Sequence, residues 1–199
     1  MEEENVLNQE LVIERNDKSI LGFWIYIMTD CVLFASLFAT YAVLHTNTFG
    51  GPSGKNIFDL NYVFIETLVL LISSFSCGMA TIAAFKNKKS MTIIFFGITI
   101  LLGLTFLIME LSEFHHLALI GDSWTRSAFL SAYFTLVGTH GLHISIGIIW
   151  MIIIIGLILK KGLGPHNLRK ITMVSIFWHF LDVVWIFIFS IVYLMGVIK

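Results

Sequence analysis

Five long apolar stretches dominate this sequence and restrict what the chain can fold into. They run over about residues 21–44, 62–85, 91–109, 128–159 and 171–197. A helix needs roughly 20 mainly apolar residues to cross a bilayer, because each residue adds only about 1.5 Å to its length. The sequence therefore predicts an all-α integral membrane bundle of five transmembrane helices, with an N-terminal tail over 1–19 and a single membrane domain over 20–199.

The composition excludes several classes of protein. The chain is 57% hydrophobic and only 13% charged, and a soluble protein of this length needs a larger polar surface. The formal charge of −1 and the lack of a basic patch argue against a nucleic-acid partner. The two cysteines form no spacing pattern for zinc or for a disulfide framework.

The distribution of basic residues predicts the orientation in the membrane. Most Lys and Arg lie on the side of the N-terminus: Arg15, Lys18, Lys86, Lys88, Lys89, Lys160, Lys161, Arg169 and Lys170. The opposite side has Lys55, Arg126 and Lys199. Because basic loops stay in the cytoplasm, we expect a cytoplasmic N-terminus and an external C-terminus. The acidic first residues do not resemble a signal peptide, so the first apolar stretch is expected to remain in the mature protein.

The fifth stretch carries polar groups that hydrocarbon tolerates poorly. Trp178, Asp182 and Trp185 fall on one helix face, and His179 lies one step round from them. An ionised carboxylate at the centre of a span costs about 3 kcal/mol or more, so this face must contact protein. Asp30 is predicted at a similar depth in the first stretch. Three roles remain open for the two acids: hydrogen bonds between helices, proton handling, or contact with a lipid or partner.

Two histidines stand three residues apart near the middle of the fourth stretch. His140 and His143 project from one side of a helix, and imidazoles so placed can ligate haem or copper. Only His179 is predicted at a comparable depth, while Gly138, Gly141 and Ser145 would let another helix approach closely. Packing within a helix contact, metal binding and a proton relay are the three interpretations that these residues allow.

Acidic residues also occur near the predicted outer ends of the second and third stretches. Glu66 opens the second stretch, and Glu110 and Glu113 close the third, followed by His115 and His116. Glu and His one turn apart can share a metal ion. The simpler expectation is a hydrated helix end followed by a loop, where ionisation costs little.

Three segments resemble subunit III of the haem-copper terminal oxidases. They are GFWIYIMTDCVLFASLFATYAV (22–43), the fourth stretch with its HGLH motif (140–143), and the fifth with WHFLDVVW (178–185). The match covers nearly all of the chain after the tail. Five spans rather than seven resemble the quinol oxidase branch of cytochrome bo type, whose members lack the first two.

The resemblance implies a noncatalytic subunit in a proton-pumping quinol oxidase of the aerobic respiratory chain. Haem and copper belong to subunit I, and this chain would pack with subunits I, II and IV in a bacterial inner membrane, with no catalytic centre of its own. Its helices would form a V-shaped bundle with a cleft for phospholipid. The residues expected to line the cleft or join the helices are Asp30, His140, His143, Trp178, His179, Asp182 and Trp185. The resemblance implies no metal ligand among them.

Two other functions fit parts of the pattern. Acids and histidines in three spans are compatible with a stand-alone proton-coupled transporter, although no inverted repeat is visible. Three histidines at mid-membrane depth are compatible with a haem-binding membrane redox protein.

Overall fold

A computed structural model of the protein describes the backbone of residues 2–45, 60–120 and 126–198, and the side chains of 18–45, 60–119 and 126–196. Five long helices are present: α1 (Glu2–Leu44), α2 (Leu60–Phe85), α3 (Lys89–Ile120), α4 (Ala128–Lys161) and α5 (Pro165–Ile188). The described ranges contain no strand. Each long helix holds a segment long and apolar enough to cross a membrane. The predicted all-α fold with five spans is therefore confirmed.

The chain divides into two compact units, Met1–Ser36 and Leu37–Lys199. The first unit is helical from Glu2 onward, so the predicted tail continues the helix of the first span. Its buried side chains Ile27, Asp30 and Phe34 recur at three and four residues and share one face. The connection predicted over residues 45–61, with its Gly and Pro residues, lies mostly outside the described residues.

The second unit is an antiparallel bundle in which α2, α3, α4 and α5 follow one another around a central core, and α5 returns to pack on α2. Two tight connections make neighbouring helices antiparallel. Between α2 and α3, Asn87 adopts a positive φ of 56°, which Asn tolerates better than most residues. Between α4 and α5, Gly162 has a φ of 72° and its N–H caps the carbonyl of Ile158.

Helix α3 is longer than the apolar pattern predicted. The stretch was expected to end at residue 109, with a loop from Glu110 to Arg126, but the helix continues to Ile120. The loop prediction was wrong because it equated the end of the apolar run with the end of the helix. No Gly or Pro follows until Gly121, so nothing stops the helix earlier. Similarly, α5 begins at Pro165, whose fixed φ suits a first helical turn, rather than at residue 171.

The last span changes its winding near its end. Helix α5 continues into a π-helical segment, Phe189–Leu194, and then into α6 (Met195–Ile198). Short π segments are rare and occur frequently at functional sites. This one contains Tyr193, whose side chain is fully buried, and Val192, whose carbonyl lies 3.4 Å from the Tyr41 hydroxyl. No Gly or Pro within the segment announces the change in the sequence.

Two glycines make room for the indole of Trp178 in the interior of the bundle. A Cβ atom at Gly103 of α3 would lie 2.9 Å from Trp178 Cη2, and one at Gly147 of α4 would lie 3.0 Å from Cε3 and Cζ3. The indole itself is only 1% exposed. Small residues let helices approach closely in membranes, and here they let three helices meet at one ring.

We expect Gly147→Ala to destabilise the bundle, because the new methyl group would overlap the Trp178 ring. Overpacking of this kind typically costs about 1–3 kcal/mol. The matched control is Gly156→Ala on the same helix, where a Cβ atom would meet nothing within 4 Å. That change should be neutral or stabilising by up to about 1 kcal/mol, because Ala is the better helix former.

Thermal unfolding of both variants in detergent would measure the difference. Equal midpoints for Gly147→Ala and Gly156→Ala would show that the close approach to Trp178 contributes nothing.

Candidate functional site

Two indole N–H groups of α5 are hydrogen-bonded to hydroxyl groups of α2. Trp178 Nε1 donates to Ser73 Oγ at 3.1 Å, and Trp185 Nε1 donates to Thr67 Oγ1 at 3.0 Å. The tryptophans are two turns apart on one helix, and their acceptors recur in the opposite order along the antiparallel partner. We call these four residues the indole seam. They confirm that the face of Trp178 and Trp185 meets protein.

Each accepting hydroxyl is fixed by its own helix. Ser73 donates its proton to the carbonyl of Leu70 at 2.6 Å, and Thr67 donates to that of Val63 at 2.9 Å. Because a hydroxyl has one hydrogen and two lone pairs, these bonds leave the lone pairs for the indoles. The seam therefore satisfies every N–H and O–H group that it contains.

A second polar contact joins α2 and α5 through Ser74. Its Oγ lies 2.9 Å from Nδ1 of His179, and the carboxyl group of Asp182 lies beside the same hydroxyl. Asp182 is 8% exposed, and its Oδ1 has no hydrogen-bond partner among the described residues. His179 lies at the exposed edge of the bundle with Nε2 close to Gly78. Ser74 thus holds the two predicted polar residues against α2.

His140 packs among aromatic rings in the core. Its ring is fully buried and stacks on Trp185 with centroids 5.3 Å apart and planes 28° apart. The edge of Phe106 meets the same imidazole at 5.9 Å. This arrangement extends the indole seam to α3 and α4.

His143 takes a different direction from His140. Its Nδ1 lies 2.8 Å from the carbonyl oxygen of Thr139 on the same helix, and its ring faces Phe177 at 6.5 Å. The two histidines therefore share a helix side but not a site. Among the described residues, no three His, Cys, Asp or Glu side chains are arranged as the ligands of one metal ion.

Asp30 belongs to the first unit. It is 6% exposed and accepts a hydrogen bond from the hydroxyl of Tyr26, one turn earlier on α1. Its predicted place in one polar layer with Asp182 and the histidines stays a prediction.

The structure also brings together three glutamates and two tyrosines that the sequence did not predict to lie in one site. Glu66 of α2, Glu110 and Glu113 of α3, Tyr133 of α4 and Tyr193 of the π segment meet at one end of the bundle, and we call them the acidic cluster. Glu66 is 0% and Glu110 is 3% exposed. The expected hydrated helix end is therefore wrong for Glu110. The carboxyl group of Glu110 lies against Gly141, where a Cβ atom would come within 2.6 Å of Oε1.

A signal for part of this cluster is present in the sequence. Glu66 falls on the same stripe as Val63, Leu70 and Ser73, at helical spacings of three and four residues. The stripe predicts that Glu66 faces the core. Its partners on α3 could not be found in this way, because Glu110 follows the end of an apolar run.

The family model described as cytochrome c oxidase subunit III matches residues 8–197. The cytochrome bo(3) ubiquinol oxidase subunit 3 of Pseudomonas aeruginosa is 54% identical over 89% of this chain and 85% of its own length. That of Pseudomonas putida is 52% identical over 90% and 87%. A quinol oxidase subunit 3 from Bacillus spizizenii is 48% identical over 89% and 87%.

We expect Thr67→Val to destabilise the protein by about 1 kcal/mol, because it removes the acceptor of the buried Trp185 N–H. The control is Thr105→Val. Thr105 also donates to the carbonyl one turn earlier, at 2.9 Å, but it is exposed and accepts no indole.

A double-mutant cycle with Trp185→Phe, followed by thermal unfolding, measures the hydrogen bond itself. The effects of Thr67→Val and Trp185→Phe should be less than additive. Strict additivity would contradict a coupling between the two side chains.

Proposed function

Because the chain belongs to the cytochrome c oxidase subunit III family, we propose that it works as the noncatalytic third subunit of a haem-copper quinol oxidase. The resemblance predicted from the first, fourth and fifth spans is confirmed by the family match over residues 8–197. The chain is a multi-pass bacterial membrane protein with partner subunits. Electrons would pass from quinol to oxygen in another chain, and this one would stabilise that chain in the membrane.

The structural role is supported by the indole seam, in which every side-chain N–H and O–H group is hydrogen-bonded within the protein. Trp178 and Trp185 donate to hydroxyls of α2, and the His140 ring is stacked on Trp185. Side chains committed to such contacts hold the helices together. Interhelical hydrogen bonds of this type are worth about 0.6 kcal/mol each on average, so several act together.

We propose that the residues of the first unit and the exposed edge of the bundle face partners. Most large apolar side chains of the first span are exposed, among them Leu21, Met28 and Val32. Bound phospholipid is proposed to contact these exposed side chains. Subunits I, II and IV are the proposed protein partners, with haem and copper in subunit I.

The proposed orientation keeps the N-terminus in the cytoplasm and the C-terminus outside the inner membrane. The tight connections support it: Lys86, Lys88 and Lys89 surround one, and Lys160 and Lys161 precede the other. Both connections lie at the same end of the antiparallel bundle, so their basic residues share one side of the membrane.

Asp182→Leu should lower the amount of this chain recovered with the oxidase more than the turnover of the oxidase that remains. The substitution removes the Ser74 contact between α2 and α5, which is a packing role. The neighbouring change Val183→Leu is the control, since Val183 is 51% exposed and apolar. Purification in mild detergent, with quantification of each chain and of turnover per haem, measures both quantities.

Normal recovery of the Asp182→Leu variant with a collapsed turnover would point instead to proton handling by this carboxyl group. The same purification tests the identity of the complex. If the chain is isolated without other oxidase subunits, and carries a haem absorption band that His140→Ala removes, the noncatalytic role is wrong.

A further inference from the structure

The acidic cluster adjoins the indole seam, with the Tyr193 ring 6.2 Å from that of Trp185, and lies toward the end of the bundle that the basic residues predict to be external. Its members come from every helix of the bundle: Glu66 near the start of α2, Glu110 and Glu113 late in α3, Tyr133 early in α4, and Tyr193 at the end of the last span. None of them contributes to the proposed role in assembly. Three carboxyl groups in one protein interior need an explanation of their own.

Two of the carboxyl groups are buried without a hydrogen-bond donor. Neither oxygen of Glu66 has a partner among the described residues, and Oε2 of Glu110 has none. Glu66 lies one turn along α2 from Tyr62, whose hydroxyl donates to the carbonyl of Met109 at 3.2 Å, so Glu66 lies at the same end of the bundle as Glu110. An ionised carboxylate buried without a partner costs several kcal/mol or neutralises by taking up a proton.

Glu113 has a different environment. It is half-buried, and Tyr193 donates a hydrogen bond to its Oε2 at 3.1 Å. The hydroxyl oxygens of Tyr133 and Tyr193 are 2.9 Å apart. Either tyrosine can be the donor between the two hydroxyls, and Tyr133 also lies beside the Glu113 carboxyl group. Tyrosine hydroxyls stabilise a charge on Glu113, whereas the oxygens of Glu66 have no such donor among the described residues, so the glutamates are not equivalent.

Two further titratable side chains, Tyr62 and His140, lie beside the cluster. Tyr62 on α2 donates to the carbonyl of Met109 at 3.2 Å. His140 on α4 is fully buried. Its ring stacks on Trp185 and makes a T-shaped contact with Phe106. A cation could supply the charge in place of a proton. However, no three His, Cys, Asp or Glu side chains in the described residues are arranged to ligate one metal ion.

We propose that the acidic cluster is a proton-binding site, in which Glu66 and Glu110 hold protons in the interior and Glu113 exchanges them with water at the outer face. The chemistry is simple: a proton from water adds to a carboxylate oxygen, and no other bond forms or breaks. Carboxyl groups whose surroundings differ divide the acid and base roles between them. The π segment contributes by bringing the Tyr193 hydroxyl to Glu113.

Infrared spectroscopy of the purified oxidase tests the proposal, because a protonated carboxyl group has a carbonyl stretch that ionised carboxylates lack. The wild-type complex should show this band, and exchange of water for D₂O should shift it. Glu66→Gln and Glu110→Gln should each remove the intensity of one carboxyl group, and the double variant should remove both. Glu14→Gln, in the predicted N-terminal tail, is the control and should remove nothing.

A band that keeps its full intensity in both assembled variants would overturn the proposal. So would a band that appears only after Na⁺ and Ca²⁺ are removed, because the ligand would then be a metal cation. If the variants do not assemble, the wild-type complex is compared with the complex stripped of this chain. Equal band intensity in those two samples would likewise overturn the proposal.

Discussion

The structure depends on one constraint: a polar side chain inside a membrane span must find its partner within the protein. In hydrocarbon there is no water to accept an indole N–H or a hydroxyl proton. The second unit meets this constraint for the indole N–H groups of Trp178 and Trp185 at the contact between α2 and α5. Ser73 and Thr67 each donate to a carbonyl of α2 and accept a hydrogen bond from an indole of α5, so each hydroxyl bonds groups on both helices. Beside that contact, Gly103 of α3 and Gly147 of α4 leave room for the Trp178 ring.

The sequence was sufficient for the parts of the fold that depend on local pattern. Apolar run lengths gave five spans, and helical periodicity showed that Trp178 and Trp185 face protein. The partners of these residues could not be predicted in the same way. Periodicity assigns a residue to a helix face, but the rotation of the neighbouring helix decides whether Ser73 or another residue meets it. The prediction failed at Glu110 for a related reason, since a carboxyl group after an apolar run is buried only if the helix continues and a glycine faces it.

The indole seam and the acidic cluster use polar residues in opposite ways. In the indole seam, neutral donors and acceptors are matched, and the result is a rigid contact. In the acidic cluster, both oxygens of Glu66 and one of Glu110 have no donor among the described residues, which is why we propose that these groups hold protons. The bundle therefore differs along its length, with matched hydrogen bonds at the seam and buried carboxyl groups toward one end.

The hydrogen-bonded partners of the indole seam are far apart along the chain, which has a consequence for biosynthesis. Trp178 and Ser73 are 105 residues apart, and Trp185 and Thr67 are 118 apart. When α2 leaves the ribosome, its eventual partner has not been made. Exposure of the Ser73 and Thr67 hydroxyls to lipid before α5 is made costs little, because each already donates to a carbonyl of its own helix. The bundle can close only when the last span has been made. A chain that terminates before Trp178 would contain α2, α3 and α4 but would lack the hydrogen bonds of the indole seam.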